Sequence, residues 1–189
     1  MAAAEYRLNL PARTEADADP AIAAVLVKAR ARSGMIPNMY ANMANLPGLL
    51  ETYMTGYAAF RRDSDFSAAE QETILLAISR ANGCAYCVAA HSVVADMAHV
   101  PPEITDALRA GRPLPGARLN ALAVFTTALV ETRGLPTGAQ ARAFLDAGFT
   151  ETDILRILLA IAVKTISNYS NHLFHTTLDP MFAHRAWEG

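Results

Sequence analysis

Cysteine is almost missing from this chain: Cys84 and Cys87 are the only two among 189 residues. With no other cysteine, there is no second pair to complete a thiolate-rich zinc site. Charge is also sparse, at 18% of residues with a net value of −2. No basic run and no interleaving of basic with aromatic residues occurs, which excludes nucleic acid as an expected partner. Long apolar runs are lacking as well. The longest, 121–130 and 157–163, are interrupted or too short to cross a bilayer, so no membrane partner is expected. The first residues carry neither the basic segment nor the long apolar core of a signal peptide, and a cytoplasmic protein is the expectation. In that compartment a Cys-x-x-Cys serves catalysis or metal binding more often than it staples a fold. Period-two alternation bounded by hairpin turns is absent, and so are repeats and low-complexity segments, so no strands are required.

What the chain has in plenty is apolar mass, 52% of residues. That suffices for one domain with a sizeable core, and the surplus over a small soluble monomer suggests subunit interfaces. Residues 1–18 read as an extended or loosely ordered arm, and 19–189 as a single all-α domain of about eight or nine helices. Ile22, Val25, Leu26 and Ala29 have helical spacing, and Ser33-Gly34 ends that helix. A short helix follows Ile36-Pro37-Asn38. Another opens at Leu46-Pro47-Gly48, carries Tyr53, Tyr57 and Phe60 on one stripe, and stops near Arg61-Arg62-Asp63. Ser67 and Glu70 form a capping box at the head of the next. Pro102 to Gly111, 117–132, 136–147 and a long final helix from the cap at Thr150 to Asp179-Pro180 complete the reading. An aromatic tail with Phe182 and Trp187 remains. Met35, Met39, Met43, Met54 and Tyr57 are candidates for the walls of a pocket or interface, although core packing is the commoner role of methionine.

The stretch 72–91 organises the chain. It holds both cysteines, one of the five histidines and a carboxylate on an otherwise apolar helix. Asn82-Gly83 breaks one helix, and a second begins near Cys84, so Cys84, Cys87 and His91 share a helical face. A dithiol at a helix N-terminus with an imidazole one turn on favours the thiolate, which is the reactive form, and this reads as a redox site. Two other readings stay open on the residues alone. The cysteines can be small buried hydrophobes, or zinc ligands with His91 and one of His99, His172 or His175. Glu72, in a helix's first turn at the edge of the buried stripe, reads by itself as a solvated carboxylate. His91 alone can be a satisfied core histidine, and Asn168, Asn171 and His172 can cap and hydrogen-bond a buried helix end.

The pattern as a whole, Glu72, then Cys84-Ala85-Tyr86-Cys87 and His91, resembles the active-site signature of the alkylhydroperoxidase D-like branch of the carboxymuconolactone decarboxylase superfamily. The C-terminal run Asn168-Tyr169-Ser170-Asn171-His172, followed by Leu178-Asp179-Pro180, resembles its larger, peroxidase-related members. The resemblance covers most of 35–182. It implies the alkylhydroperoxidase D-like fold and a peroxidase that runs on a dithiol–disulfide cycle with no cofactor and no metal. Cys87 would attack the hydroperoxide and become a sulfenic acid, Cys84 would resolve it to a disulfide, and Glu72 with His91 would relay the proton. Tyr86 stands where some members carry a second histidine; with His172 it is a further proton-relay or pocket candidate. The resemblance further implies a small-molecule hydroperoxide as substrate, a thiol or lipoyl-type electron donor, and a homo-oligomer, trimeric or hexameric. The helix dipole favours Cys84 as the more acidic thiol, but a specific base four residues from Cys87 outweighs a dipole worth about 1 kcal/mol or less. A general disulfide oxidoreductase, or a redox-sensing interaction protein, is the alternative. Decarboxylation of a muconolactone, which would leave the dithiol idle, stands behind both.

Overall fold

The computed structural model describes residues 4–189. It is all-α, with no strand among the described residues. Nine α-helices run in order: α1 Pro20–Ser33, α2 Asn38–Met43, α3 Pro47–Asp63, α4 Ala68–Ala81, α5 Ala85–Met97, α6 Pro102–Ala110, α7 Ala117–Glu131, α8 Gly138–Asp146 and α9 Glu151–Phe174. A 3₁₀ helix, Pro180–Arg185, closes the chain. The expected fold class is what the backbone adopts.

The helix starts follow from side chains that satisfy orphan N–H groups. Ser67/Glu70 and Thr150/Asp153 close reciprocal capping boxes on α4 and α9. Thr137/Gln140 does the same for α8, which is why that helix starts after Pro136 instead of at it. The last helix ends earlier than the sequence suggests. His175 takes a left-handed conformation, φ 49°, and its N–H bonds back to the end of α9. Asp179 is thereby released to be buried elsewhere, at 4% exposure. The arm, expected to be extended or loosely ordered, carries no helix over 4–18. Residues 1–3 of it lie outside the described residues, but the rest is tied down: Leu8 N–H donates to Leu173 O at 2.9 Å and Arg13 N–H to Ala41 O at 2.9 Å.

α4 is the axis of the fold and packs against α5, α6, α7 and α9. Every residue from Glu72 to Ser79 is buried. Ile74, Leu75 and Ile78 face a cluster built from α3, α7, α8 and α9, while Leu76 and Ala77 face one built with α5 and α6. A third cluster joins α1, α2 and α3 to the two cysteines and Val163 of α9. α9 spans about 36 Å at 1.5 Å per residue, long enough to touch two of these three. It packs closely on α3 at Gly56, where a Cβ would meet Val163 at 2.8 Å.

In the α7–α8 cluster the Phe144 ring is stacked between Phe125 at 4.3 Å and Phe149 at 4.6 Å, centroid to centroid. Phe144→Ala should therefore cost about 3–5 kcal/mol of unfolding free energy through lost burial and a residual cavity. The check is the urea midpoint at constant m-value. A loss below about 1 kcal/mol would mean that the cluster collapses around the gap.

Candidate active site

The α4–α5 junction places the dithiol. Asn82 ends α4, and Gly83 adopts φ 66°, a left-handed conformation that glycine takes without strain. Cys84 N–H then donates to Ser79 O at 2.9 Å and Gly83 N–H to Arg80 O at 2.9 Å, the paired bonds of a Schellman ending. Cys84 is thus the residue that terminates α4 and the N-cap of α5 at once. Cys87 lies one turn into α5, and His91 one turn further on the same face. Both cysteines are free and buried, at 1% and 2% exposure.

Three other helices close around them. From α4 comes Glu72, 1% exposed. It is a core carboxylate, not the half-solvated one that its place at the edge of the stripe suggests. His91 Nδ1 lies 3.0 Å from Glu72 Oε2, and Arg61 Nη2 lies 2.5 Å from Oε1. From α3 come Tyr53, Tyr57 and Arg61 in successive turns; Arg61 also donates to Tyr57 Oη at 2.6 Å and to Gln71 Oε1 at 2.9 Å. From α9 come Lys164, Ser167 and Asn171. Asn171 Nδ2 donates to Cys87 Sγ at 3.2 Å and reaches Cys84 Sγ at 3.9 Å and Met39 Sδ at 3.2 Å. Ser167 Oγ is 3.9 Å from Cys87 Sγ.

This setting splits the two thiols. Burial pushes the Cys87 thiol up, but the Cys84 hydrogen bond, the Lys164 charge, His91 and the Asn171 amide together outweigh it and hold Cys87 well below the ordinary cysteine range. Its own hydrogen bond to Cys87, and then burial, keep Cys84 protonated. Burial and the nearby Lys164 charge hold His91 below its ordinary value of 6.5, against the pull of Glu72. Burial raises Glu72, yet its bonds to His91 and Arg61 win, and it stays below 4.5. With Glu72 ionised, His91 Nδ1–H is the donor and Nε2 carries the lone pair. The arrangement can supply a thiolate, a protonated partner thiol one turn away, and an oriented neutral imidazole to move protons.

Tyr86 and His172 sit apart from this dyad. Tyr86 donates its hydroxyl to the buried Asp179 at 2.5 Å, and its ring meets Phe182 edge-on at 5.9 Å. The residue between the cysteines thus ties the C-terminal segment to α5. His172, with Asn82, Cys84, Tyr86, Asn171 and Trp187, lines a cavity of about 680 Å³. Cys84 and Asn171, both buried, are part of its wall, and Asn171 in turn contacts Cys87. Asn171 therefore does more than hydrogen-bond a helix end. Asn168 fits that structural role: it accepts from Asn82 Nδ2 at 2.9 Å. Among the described residues, no three His, Cys, Asp or Glu side chains are grouped to hold a metal ion.

Sequence reasoning missed Arg61, Lys164 and the contact role of Asn171. Arg61 continues the Tyr53–Tyr57 stripe by four residues, which could have flagged it. Lys164 breaks the apolar run that begins at Ile157 and falls on its buried side, a placement a lysine rarely takes without a reason.

Comparisons agree with the resemblance carried by the motif. Residues 47–128 match the model of the Carboxymuconolactone decarboxylase family, a segment that includes Glu72, both cysteines and His91 and ends before α9. No curated protein matches the sequence. Among solved structures the chain is similar to an alkylhydroperoxidase AhpD core, an uncharacterized peroxidase-related protein from Ralstonia eutropha JMP134 (TM-score 0.78, 22% identity, covering 92% of this chain and 93% of that one). A peroxidase-related protein from Silicibacter sp. TM1040 is similar at TM-score 0.76 and 21% identity, over 94% of this chain and 93% of that one. The debrominase Bmp8, as a cysteine variant in complex with 2,3,4-tribromopyrrole, superposes at TM-score 0.77 and 15% identity, over 96% and 97%. At such identities the likeness establishes the fold, and one of these relatives is an enzyme of a different activity.

The two depressed basic and acidic groups make stability fall with acid. The unfolded chain binds a proton on His91 as pH drops below about 6.5 and on Glu72 below about 4.5, whereas the native site refuses both. Urea midpoints should therefore decline from pH 7 toward pH 5, and His91→Gln should flatten that part of the curve. Glu72→Gln, which leaves Arg61 facing a neutral amide inside the protein, should cost about 3 kcal/mol at pH 7. A midpoint within experimental error of the parent would return Glu72 to a passive role.

Proposed function

We propose that this chain, whose site-bearing segment carries the Carboxymuconolactone decarboxylase family pattern, is a thiol-dependent hydroperoxide reductase. The observation that carries the reading is the buried, free Cys84–Cys87 pair at the head of α5, with Asn171 Nδ2 3.2 Å from Cys87 Sγ and the Glu72–His91 pair, 3.0 Å apart, one turn further on. This setting favours thiolate on Cys87 and thiol on Cys84. The Cys87 thiolate attacks the O–O bond of a hydroperoxide ROOH. The O–O bond breaks as the Cys87 sulfenic acid forms, and the departing alkoxide takes a proton drawn from solvent and relayed over His91 Nε2 to leave as ROH. The Cys84 thiol then condenses with the sulfenic acid, releasing water and forming the Cys84–Cys87 disulfide. An external dithiol, of the lipoyl or a protein-thiol type, supplies two electrons to restore the pair. The substrate enters through the cavity walled by Cys84, Asn171 and His172.

Assembly into a homo-oligomer would cover exposed apolar side chains such as Val124, Leu135 and Leu155, at 56%, 78% and 64% exposure. A reducing cytoplasm suits a dithiol that must be regenerated. Among the described residues, no helix is long and apolar enough to cross a membrane.

A second reading has one observation in its favour. The same fold carries a debrominase bound to a brominated pyrrole, and the cavity here has Tyr169, His172 and Trp187 on its walls, so a flat ring could take the place of the peroxide while the dithiol supplies the same two electrons.

Cys87→Ser should abolish reduction of an organic hydroperoxide. Cys84→Ser should react once and stop, leaving a sulfenic acid that a dimedone-type probe labels on Cys87. Exchange of the two phenotypes would reverse the assignment of the thiols. Turnover of brominated pyrrole with no hydroperoxide reduction would select the second reading.

A further inference from the structure

The chemistry above gives Lys164 no part of its own. It lies on α9 at 1% exposure. Among the described residues it joins none of the ion pairs. The buried carboxylate of this region, Glu72, is already engaged by Arg61 at 2.5 Å and His91 at 3.0 Å. An ammonium inside a protein is costly unless a negative charge is set against it. Helical spacing puts Lys164, Ser167 and Asn171 on one face of α9, and the last two reach the Cys87 sulfur at 3.9 and 3.2 Å. The adjacent Val163 packs in the same apolar cluster as both cysteines. The Lys164 charge also bears on the protonation of Cys84, Cys87 and His91, in keeping with its place on this face of α9.

We propose that Lys164 is the counter-ion of a resting Cys87 thiolate, and that it, more than His91, holds the negative charge on that sulfur. Among the described residues that face Cys87, Lys164 is the one cation not paired with a carboxylate. On α5, Cys84 is protonated, the Tyr86 hydroxyl is bound to Asp179, and burial together with Lys164 favours neutral His91. On α3, burial keeps Tyr53 and Tyr57 protonated, and Arg61 is paired with Glu72 of α4. The division of labour follows. Lys164 makes the nucleophile, and His91, kept neutral and aligned by Glu72, is free to carry protons during turnover.

The pairing also bears on the disulfide. Forming the Cys84–Cys87 bond removes the thiolate and leaves the ammonium without its partner. Lys164 therefore stabilises the reduced state and makes the disulfide more oxidising. This inference rests on the dithiol reading of the site and is independent of whether a hydroperoxide is the oxidant.

The test uses the full chain, reduced, with Lys164→Met, Lys164→Gln, Lys164→Arg and His91→Gln. Two readouts follow Cys87 across pH: thiolate absorbance near 240 nm, and the rate of iodoacetamide alkylation located by mass spectrometry. Lys164→Met should move the midpoint up by about one pH unit or more, with alkylation at a pH below both midpoints slowed about tenfold, because one unit of pKa is tenfold in thiolate there. Lys164→Gln should do the same, Lys164→Arg should stay near the parent, and His91→Gln should shift the midpoint less than Lys164→Met. The disulfide of Lys164→Met should equilibrate at a more negative potential against a glutathione or dithiothreitol couple. Methionine approximates the volume of lysine without its charge, and thermal unfolding checks that the variants fold. Should the neutral variants not fold, the parent protein with ¹⁵N-labelled lysine still decides, since the Lys164 Nζ signal should move between the reduced and oxidised forms. An unchanged midpoint in Lys164→Met, or an unchanged Nζ signal on oxidation, would overturn the proposal. No readout uses a hydroperoxide, so failure here and failure of peroxide reduction are separate results.

Discussion

Charge has to be carried inside a helical core, and the rest of this structure is arranged around that constraint. Where α3, α4, α5 and α9 meet, Glu72 is paired with Arg61, and the proposed Cys87–Lys164 pair sets a thiolate against a buried ammonium. Removing any of these charges from water costs several kcal/mol, and only close opposite charges and hydrogen bonds offset it. The fold provides them from four separate helices. Arg61 reaches in from the end of the tyrosine stripe, Glu72 from the most buried helix, and Asn171 and Lys164 from one face of α9. The Schellman turn at Gly83 sets the two sulfurs at the head of α5. Because the partners come from different elements, the site exists only when the three apolar clusters have packed.

This arrangement separates two tasks that one residue might otherwise share. A nucleophilic sulfur needs a lowered pKa, and a proton carrier needs to be neutral and basic at working pH. A protonated histidine would stabilise a thiolate but could no longer accept a proton. Here Glu72 orients the imidazole while burial and a neighbouring lysine favour its neutral form, and other groups attend to the sulfur. The reaction chosen by such a site depends on what the cavity admits. The shared fold already spans peroxidase-related proteins and a debrominase, so the backbone alone does not select the oxidant.

The helical class and the spacing from Glu72 through Cys84 and Cys87 to His91 were legible because they are local: periodicity, two capping boxes and a turn at Asn82-Gly83. His91 meets Glu72 across two sequence-adjacent helices, and the motif spans both. The burial of Glu72 was not legible, since its place near a helix start says nothing of the helices that cover it. Arg61 and Lys164 were hidden for the same reason. Each looks like a solvated or helix-ending charge until α3 and α9 are brought against α5, and periodicity reports which face is buried without saying what it is buried against. The end of α9 was misplaced by a few residues, because a left-handed His175 stops the helix without glycine or proline as a signal.

The most direct test of the account is a titration of pre-reduced, metal-free protein with an organic hydroperoxide, counting free thiols and remaining peroxide. The account predicts that two thiols per chain vanish for each peroxide consumed, with a Cys84–Cys87 disulfide as the product and recovery of both thiols on adding a dithiol donor. Thiols that survive excess peroxide at neutral pH would contradict it, and the buried sulfurs would then need another explanation than two-electron redox chemistry.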